Sequence, residues 1–137
     1  MDNAPKVVLI VDDDPTFLTA VGEYLQDVGY TVHVVRSGEQ ALVKLQHQKV
    51  DAVFLDILMP NKDGIETLLA IKKFKAAPPV YMMSGGGRSQ LYDFLEAAVA
   101  LGADGMLKKP FSPSAMIQIM ESPKAAEEPV PGQSSYC

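Results

Sequence analysis

The sequence predicts a doubly wound α/β fold, in which a mainly parallel sheet of five strands carries helices on both faces. Three observations support this prediction. Short apolar runs alternate with longer stretches whose apolar residues recur at helical spacing, glycine or proline separates most of these segments, and polar residues follow the apolar runs. Strict alternation of strands and helices favours right-handed crossovers and a parallel sheet.

Five short, mostly apolar runs predict the strands. In chain order these runs are residues 7–11, 30–35, 52–55, 80–83 and 103–107. The third run is wholly apolar and ends on Asp56, as expected of a buried strand that is covered on both faces. It delivers one carboxylate to the carboxyl end of the sheet, where open α/β folds place their ligand sites.

Start and stop signals define the first two helices. Asp14 and Pro15 begin the first helix, whose apolar residues keep helical spacing until Gly29 ends it. Ser37 and Gln40 resemble a capping box that begins the second helix. Each helix is expected to pack an apolar stripe against the sheet.

Three further helices are predicted after the later strands. The third helix has Leu69 in its apolar stripe, and two consecutive prolines prevent its continuation. The fourth has Leu101 in its stripe and is closed by Gly102. Ser112 and Pro113 serve as the cap and first residue of the fifth helix.

Length and composition indicate one soluble domain. With 137 residues the chain has room for a domain over residues 1–121, and we expect residues 122–137, which include three prolines, to form a tail or linker. The net charge of -5 and the absence of a basic cluster argue against direct nucleic-acid binding. The lone Cys137 and the lack of a long apolar segment predict a cytoplasmic protein without membrane insertion.

Three acidic residues follow two of the predicted strands. If the strand order is the flavodoxin-like order 2-1-3-4-5, Asp12 and Asp13 after the first strand lie beside Asp56 after the third. Carboxylates so close repel one another unless a cation offsets their charge, and hard oxygen ligands favour Mg²⁺. The sequence therefore predicts a divalent metal site, whereas Asp14 is expected to cap the first helix.

One hydroxyl and one cation are expected to join these acids. Ser84 ends the fourth strand, and Lys109, after the fifth, is long enough to reach inwards. Taken singly, each is an ordinary surface residue, but their joint placement fits phosphoryl transfer to a carboxylate. The Lys109–Pro110 bond is a candidate cis bond beside the site, although trans is the commoner form.

Four motifs in this order, VLIVDDDP, DAVFLDILMPNKDG, VYMMSGG and LKKPF, resemble the receiver domain of two-component response regulators over roughly residues 6–121. The resemblance implies that Asp56 accepts a phosphoryl group from the phosphohistidine of a histidine kinase or phosphotransfer protein. It also implies that Asp13 and Asp56 bind Mg²⁺ directly, Asp12 through water, and Leu58 through its carbonyl oxygen.

The same resemblance implies how the signal leaves the site. Ser84 and Lys109 would bind phosphoryl oxygens, and Met106 stands where many receivers have an aromatic switch residue. The expected output is altered binding of a protein partner or a second copy through the face of the fourth helix, fifth strand and fifth helix. No enzymatic turnover is expected beyond self-phosphorylation and self-dephosphorylation. A stand-alone receiver and a piece of a longer regulator both fit the sequence.

Three other functions compete with this interpretation. Asp12, Asp14 and Thr16 match the D-x-D-x-T pattern of haloacid-dehalogenase-type phosphatases, in which Asp12 would be the nucleophile and Asp104 the only later acid near the fifth strand. A receiver-like interaction module that is never phosphorylated is permitted by Met106. A flavin-binding domain of similar topology is opposed by three acids where the flavin phosphate would lie.

Overall fold

The computed structural model describes residues 6–57, 64–84 and 99–121 and contains one five-stranded sheet in the order β2-β1-β3-β4-β5. All neighbouring strands are parallel, so the predicted fold class and strand order are confirmed. The strands are β1 (Val7–Val11), β2 (Thr31–Val35), β3 (Ala52–Asp56), β4 (Val80–Ser84) and β5 (Gly105–Lys108).

Four helices lie within the described residues. They are α1 (Pro15–Asp27), α2 (Gly38–His47), α3 (Gly64–Lys72) and α4 (Pro113–Glu121). Helix α4 is the fifth helix of the sequence prediction. The predicted fourth helix falls largely on residues 85–98, outside the described residues, but the following Val99 and Ala100 are helical. In the described ranges, no helix is both long and apolar enough to cross a membrane.

Local signals in the sequence explain the helix boundaries. The Oγ atom of Ser37 accepts a hydrogen bond from the backbone N–H of Gln40 at 3.1 Å, as expected of an N-cap. The Gln40 side chain accepts from the N–H of Arg36, one residue before the cap, at 2.8 Å. Gly29 ends α1 with φ of 111°, a left-handed conformation that favours glycine.

Two apolar clusters, one on each face of the sheet, hold the layers together. Because side chains alternate along a strand, Val53 and Leu55 of β3 belong to one cluster and Phe54 belongs to the other. The first cluster includes residues of α2 and α3, and the second includes residues of α1 and α4. Each fully buried aliphatic or aromatic side chain contributes roughly 1.5–3 kcal/mol to folding, so the packed clusters fix where the strand ends lie.

Two residues predicted to lie in apolar stripes are exposed instead. Leu69 is exposed because the buried face of α3 carries Thr67, Leu68 and Ile71, and Leu69 is one position off that face. Leu101 is exposed in the turn that follows Ala100. Both predictions were wrong because apolar character alone does not fix the orientation of a helix.

Two strands begin later than the sequence predicted. The backbone N–H of Tyr30 donates to the carbonyl of Leu25 at 3.0 Å, so this residue belongs to the helix end and β2 begins at Thr31. Strand β5 begins at Gly105 because the carboxylate of Asp104 accepts the N–H of Val80 at 2.8 Å. The N–H of Val80 is thus bound by a side-chain oxygen of Asp104, in the place where a backbone carbonyl of a neighbouring strand would accept it.

Candidate functional site

Three carboxylates lie together at the carboxyl edge of the sheet. One carboxylate oxygen from each of Asp12, Asp13 and Asp56 lies within 4.8 Å of the other two. Asp12 is 1% exposed and Asp56 is 7% exposed, whereas Asp13 is exposed to solvent. The structure thus brings together the three acids that the sequence placed after β1 and at the end of β3, and Asp13 is the one that faces solvent.

Asp12 and Asp14, in the turn between β1 and α1, accept different hydrogen bonds. Oδ1 of Asp12 accepts a hydrogen bond from the backbone N–H of Asp14 at 2.9 Å. Oδ1 of Asp14 instead accepts the N–H groups of Thr16 and Phe17 at 3.0 and 3.4 Å. Asp14 is therefore the N-cap of α1, as predicted, and Asp12 is turned back towards the sheet.

Close backbone packing fixes the position of Asp56. The N–H of Ile57 donates to the carbonyl of Met83 at 2.8 Å, which continues the β3–β4 pairing beyond Asp56. A Cβ atom added to Gly64, the first residue of α3, would lie 2.5 Å from the carbonyl oxygen of Asp56. Only glycine lets the helix approach the strand end so closely.

Lys109 reaches the acids as the sequence predicted, but its partner is Asp12. Its Nζ atom lies 2.5 Å from Oδ2 of Asp12, and its side chain is 21% exposed. Its backbone N–H donates to the carbonyl of Ser84 at 2.7 Å, which holds the chain after β5 beside the end of β4. The Lys109–Pro110 peptide bond is cis.

The hydroxyl of Ser84 is a buried polar group at the same edge. Ser84 is 1% exposed, and its Oγ atom has no hydrogen-bond partner among the residues that the structure describes. Leaving a hydroxyl in this state costs roughly 1–3 kcal/mol. A group that accepts or donates a hydrogen bond there, such as an oxygen of a bound ligand, would remove that cost.

Hard oxygen donors at this edge fit Mg²⁺. Three carboxylates are the ligand type that Mg²⁺ prefers, and their mutual distances place them around one small volume. Lys109 already neutralises part of their charge through Asp12. The predicted carbonyl ligand, Leu58, lies outside the described residues, as does the glycine run after Ser84.

Met106 does not belong to the acid cluster. It lies within β5, pairs with Met82 of β4 in the sheet register and is 37% exposed. Phe17 is a further residue of the site that no sequence signal indicated. Its ring lies beneath the Lys109 ammonium, whereas an apolar residue near the start of α1 predicts only packing against the sheet.

A second polar cluster lies at the opposite, amino edge of the sheet. Oδ2 of Asp104 accepts from Nζ of Lys72 at 2.6 Å and from the N–H of Val80 at 2.8 Å. Burial, and then the nearby Asp104 carboxylate, raises the pKa of the Tyr81 phenol. Asp104 therefore fastens α3 to β4 and β5 and cannot assist chemistry at Asp12, at the other end of the strands.

The sequence is similar to those of known regulatory proteins. Residues 8–121 match the family model described as the response regulator receiver domain. The chain is 34% identical over 108 residues to the alkaline phosphatase synthesis transcriptional regulatory protein PhoP of Bacillus subtilis, covering 79% of this chain and 44% of PhoP. It is 37% identical over 105 residues to the transcriptional regulatory protein CpxR of Escherichia coli K12, covering 77% of this chain and 43% of CpxR.

Solved structures show the same fold. A CheY-like response regulator receiver domain protein from Methanospirillum hungatei superposes with a TM-score of 0.78 at 25% identity, covering 88% of this chain and 94% of that one. The chemotaxis response regulator CheY4 of Vibrio cholerae superposes with a TM-score of 0.74 at 30% identity, covering 86% and 98%. The chain spans less than half the length of PhoP and CpxR. It belongs to the family of response regulator receiver domains of two-component systems.

Proposed function

We propose that this receiver domain accepts a phosphoryl group on Asp56 from a histidine kinase or phosphotransfer protein and then binds its partners differently. The observation that carries the proposal is the clustering of Asp12, Asp13 and Asp56 within 4.8 Å at the carboxyl ends of the strands. Ser84 and Lys109 lie at the same end of the sheet. An acid at a strand end, oxygen ligands for a cation, and two groups for phosphoryl oxygens are the parts that this transfer requires.

In the proposed transfer Asp56 is the nucleophile. An oxygen of its carboxylate attacks the phosphorus of the donor phosphohistidine, and the phosphorus–nitrogen bond breaks. The electron pair of that bond returns to the imidazole nitrogen, which leaves a carboxyl phosphate on Asp56. Asp56 is 7% exposed and Asp13 beside it is exposed to solvent, so we infer that a donor approaches from the Asp13 side.

We infer that Mg²⁺ binds between the acids. Asp12, Asp13 and Asp56 would hold the ion, with the carbonyl of Leu58 as a further ligand. Bound Mg²⁺ offsets the negative charge of the phosphoryl oxygens and of the acids that surround them. The buried Ser84 hydroxyl would donate to one phosphoryl oxygen. Lys109 would leave Asp12 to contact another.

We propose that the output surface is the face formed by the predicted fourth helix, β5 and α4, where α4 is the fifth helix of the sequence prediction. Met106 of β5 and Val99, a helical residue seven positions earlier in the chain, are exposed apolar residues that a partner or a second copy could cover. Tyr92 and Glu96, which helical spacing places off the core stripe of the predicted fourth helix, as it does Val99, lie outside the described residues. PhoP and CpxR are named as transcriptional regulatory proteins, but this chain matches only 44% and 43% of their lengths.

The alternative functions are less well supported by the same geometry. In a phosphatase that used Asp12 as nucleophile, the attacking carboxylate would first have to give up a contact, because Oδ1 accepts from the Asp14 N–H and Oδ2 from Lys109. A flavin phosphate would meet the negative charge of three acids. A module that is never phosphorylated has no use for a buried Ser84 hydroxyl that finds no hydrogen-bond partner among the described residues.

The proposal is tested by incubation with acetyl phosphate and Mg²⁺, followed by intact mass measurement and peptide mapping. We expect one acid-stable, base-labile phosphoryl group on wild-type protein, dependent on Mg²⁺, and none on Asp56→Asn. Asp51→Asn is the matched control, because Asp51 lies before the same strand and an asparagine oxygen can still accept the Val7 N–H that its carboxylate accepts at 2.8 Å.

Equal labelling of Asp56→Asn and wild type would show that Asp56 is not the acceptor. Labelling that maps to Asp12, or steady hydrolysis of phosphomonoesters, would instead support the phosphatase alternative. Labelling of Asp51→Asn at the wild-type level completes the expected pattern, since that substitution lies at the opposite edge of the sheet.

A further inference from the structure

An aromatic side chain contacts the lysine of the site. The Nζ atom of Lys109 lies 4.1 Å from the centroid of the Phe17 ring, over its face. The ring of Phe111 meets Phe17 edge-on, with centroids 5.9 Å apart and an interplanar angle of 90°. Phe17 is in the first turn of α1, and Phe111 follows the Lys109–Pro110 bond, so two separate segments fix this geometry.

The ammonium group therefore lies between a negative charge and an aromatic face. Oδ2 of Asp12 is 2.5 Å from Nζ, and the Lys109 side chain is only 21% exposed. A cation within about 6 Å of a ring centroid is attracted by the ring, more strongly where water is excluded. Both contacts favour the same position of Nζ, against Asp12.

We propose that Phe17 is a positioning residue that holds Lys109 on Asp12 in the metal-free, unphosphorylated protein and so lowers the affinity of the acid cluster for Mg²⁺. The inference rests on the proposed function, because it assumes that Mg²⁺ binds at these acids. Mg²⁺ and the Lys109 ammonium compete for the negative charge of Asp12. Any contact that holds the ammonium against Asp12 therefore disfavours the binding of Mg²⁺ to the acids.

The first experiment titrates Mg²⁺ alone into the protein and follows it by NMR, without a phosphoryl donor. Phe17→Leu keeps an apolar side chain but removes the ring, and we expect about threefold tighter Mg²⁺ binding. Phe17→Trp offers a stronger cation–π partner, and we expect weaker binding than in wild type. Tyr24→Leu removes an aromatic ring elsewhere on the same helix and should leave the affinity unchanged.

The second readout is the chemical shift of the Lys109 ε-methylene protons. In wild type the face of the Phe17 ring should move them upfield, because Nζ lies over that face. The shift should be absent in Phe17→Leu, present in Tyr24→Leu, and reduced in wild type when Mg²⁺ is added. A purely structural role for Phe17 would change stability without a Mg²⁺-dependent movement of Lys109.

A double-mutant cycle decides whether Phe17 acts through Lys109. In a Lys109→Gln background, Phe17→Leu should leave the Mg²⁺ affinity unchanged, because no ammonium remains to be positioned. An equal gain in affinity with and without Lys109 would overturn the proposal. Equal Mg²⁺ affinities of the wild-type and Phe17→Leu proteins would also overturn the proposal, but they would leave the proposed function intact. If wild type binds no Mg²⁺, the proposed metal site itself is wrong and this inference is overturned with it.

Discussion

Nζ of Lys109 lies 2.5 Å from Oδ2 of Asp12, so the lysine proposed to contact a phosphoryl group is paired with a proposed metal ligand. The Asp12 carboxylate is 1% exposed, and in the described part of the chain Lys109 is the residue with which it forms a salt bridge. Lys109 thus supplies internally the positive charge that the acid cluster needs. The sequence predicted that Lys109 reaches the acids, but it assigned the lysine to phosphoryl oxygens and the offset of the carboxylate charge to a metal ion.

We expect Lys109→Met to destabilise the protein in the absence of Mg²⁺. The substitution leaves the buried Asp12 carboxylate without its cation, which should lower the free energy of unfolding by about 1–3 kcal/mol, less than for a pair that is fully buried. Mg²⁺ should bind this variant more tightly than wild type, because no ammonium competes for the Asp12 carboxylate. A ligand that binds more tightly to the folded protein stabilises it more, so Mg²⁺ should restore more stability to Lys109→Met than to wild type. Urea denaturation with and without Mg²⁺ measures both effects.

Lys73→Met is the control for this experiment. Lys73 is exposed just after α3, so its removal should change neither the stability nor the response to Mg²⁺. If Lys109→Met is as stable as wild type without Mg²⁺, the pair with Asp12 contributes nothing to folding. The view of Lys109 as an internal counter-ion would then be wrong.

Ser84→Ala should stabilise the fold and impair phosphorylation. The buried Oγ atom has no partner among the described residues, so its removal should raise the free energy of unfolding by about 1 kcal/mol. The proposed hydrogen bond to a phosphoryl oxygen would be lost as well, which should slow labelling by acetyl phosphate about ten- to a hundredfold. Thermal denaturation and timed intact mass measurements separate the two effects.

Ser37→Ala provides the opposite pattern as a control. Ser37 caps α2, so its truncation should lower the free energy of unfolding by about 1 kcal/mol and leave the labelling rate unchanged. A Ser84→Ala protein that is less stable than wild type would indicate that this hydroxyl is satisfied in solution. A normal labelling rate would exclude Ser84 from the transfer.

The sequence predicted the positions of the acids because each depends on local signals and on topology. A wholly apolar run that ends on Asp56, and a second that ends before Asp12, defined two strand ends. The order of the parallel strands then placed these ends side by side. The strand ends and the strand order do not depend on how a side chain is oriented, so the sequence is sufficient to predict both.

The contacts of the lysine could not be predicted in the same way. Whether Lys109 faces Asp12 or Asp56 depends on its rotamer, and the Phe17 contact depends on how α1 packs beside the chain after β5. Leu69 shows the same limit on a helix, because only packing decided that Thr67 is buried there instead. Side-chain pairing of this kind is a tertiary property without a periodic signal in the sequence.

Gly64→Ala should damage both the fold and the site. The added Cβ atom would lie 2.5 Å from the Asp56 carbonyl oxygen and 2.5 Å from the Ile57 Cα atom, both of them backbone atoms that cannot rotate away. We expect the free energy of unfolding to fall by about 1–3 kcal/mol, as in other overpacked sites. Because the end of β3 must move to relieve the contact, Asp56 should also be labelled more slowly by acetyl phosphate.

The same substitution at Gly22, in the middle of α1, is a matched control with the opposite expected sign. Its added Cβ atom would lie 3.8 and 3.9 Å from methyl groups of Val32 and Val34, which is ordinary contact. Alanine is favoured over glycine within a helix by roughly 1 kcal/mol, so Gly22→Ala should stabilise the protein and leave the labelling of Asp56 unchanged. If the two variants behave alike, the loss at Gly64 reflects glycine-to-alanine replacement in general. If only Gly64→Ala loses stability and labelling, the close approach of α3 to the end of β3 is what positions Asp56.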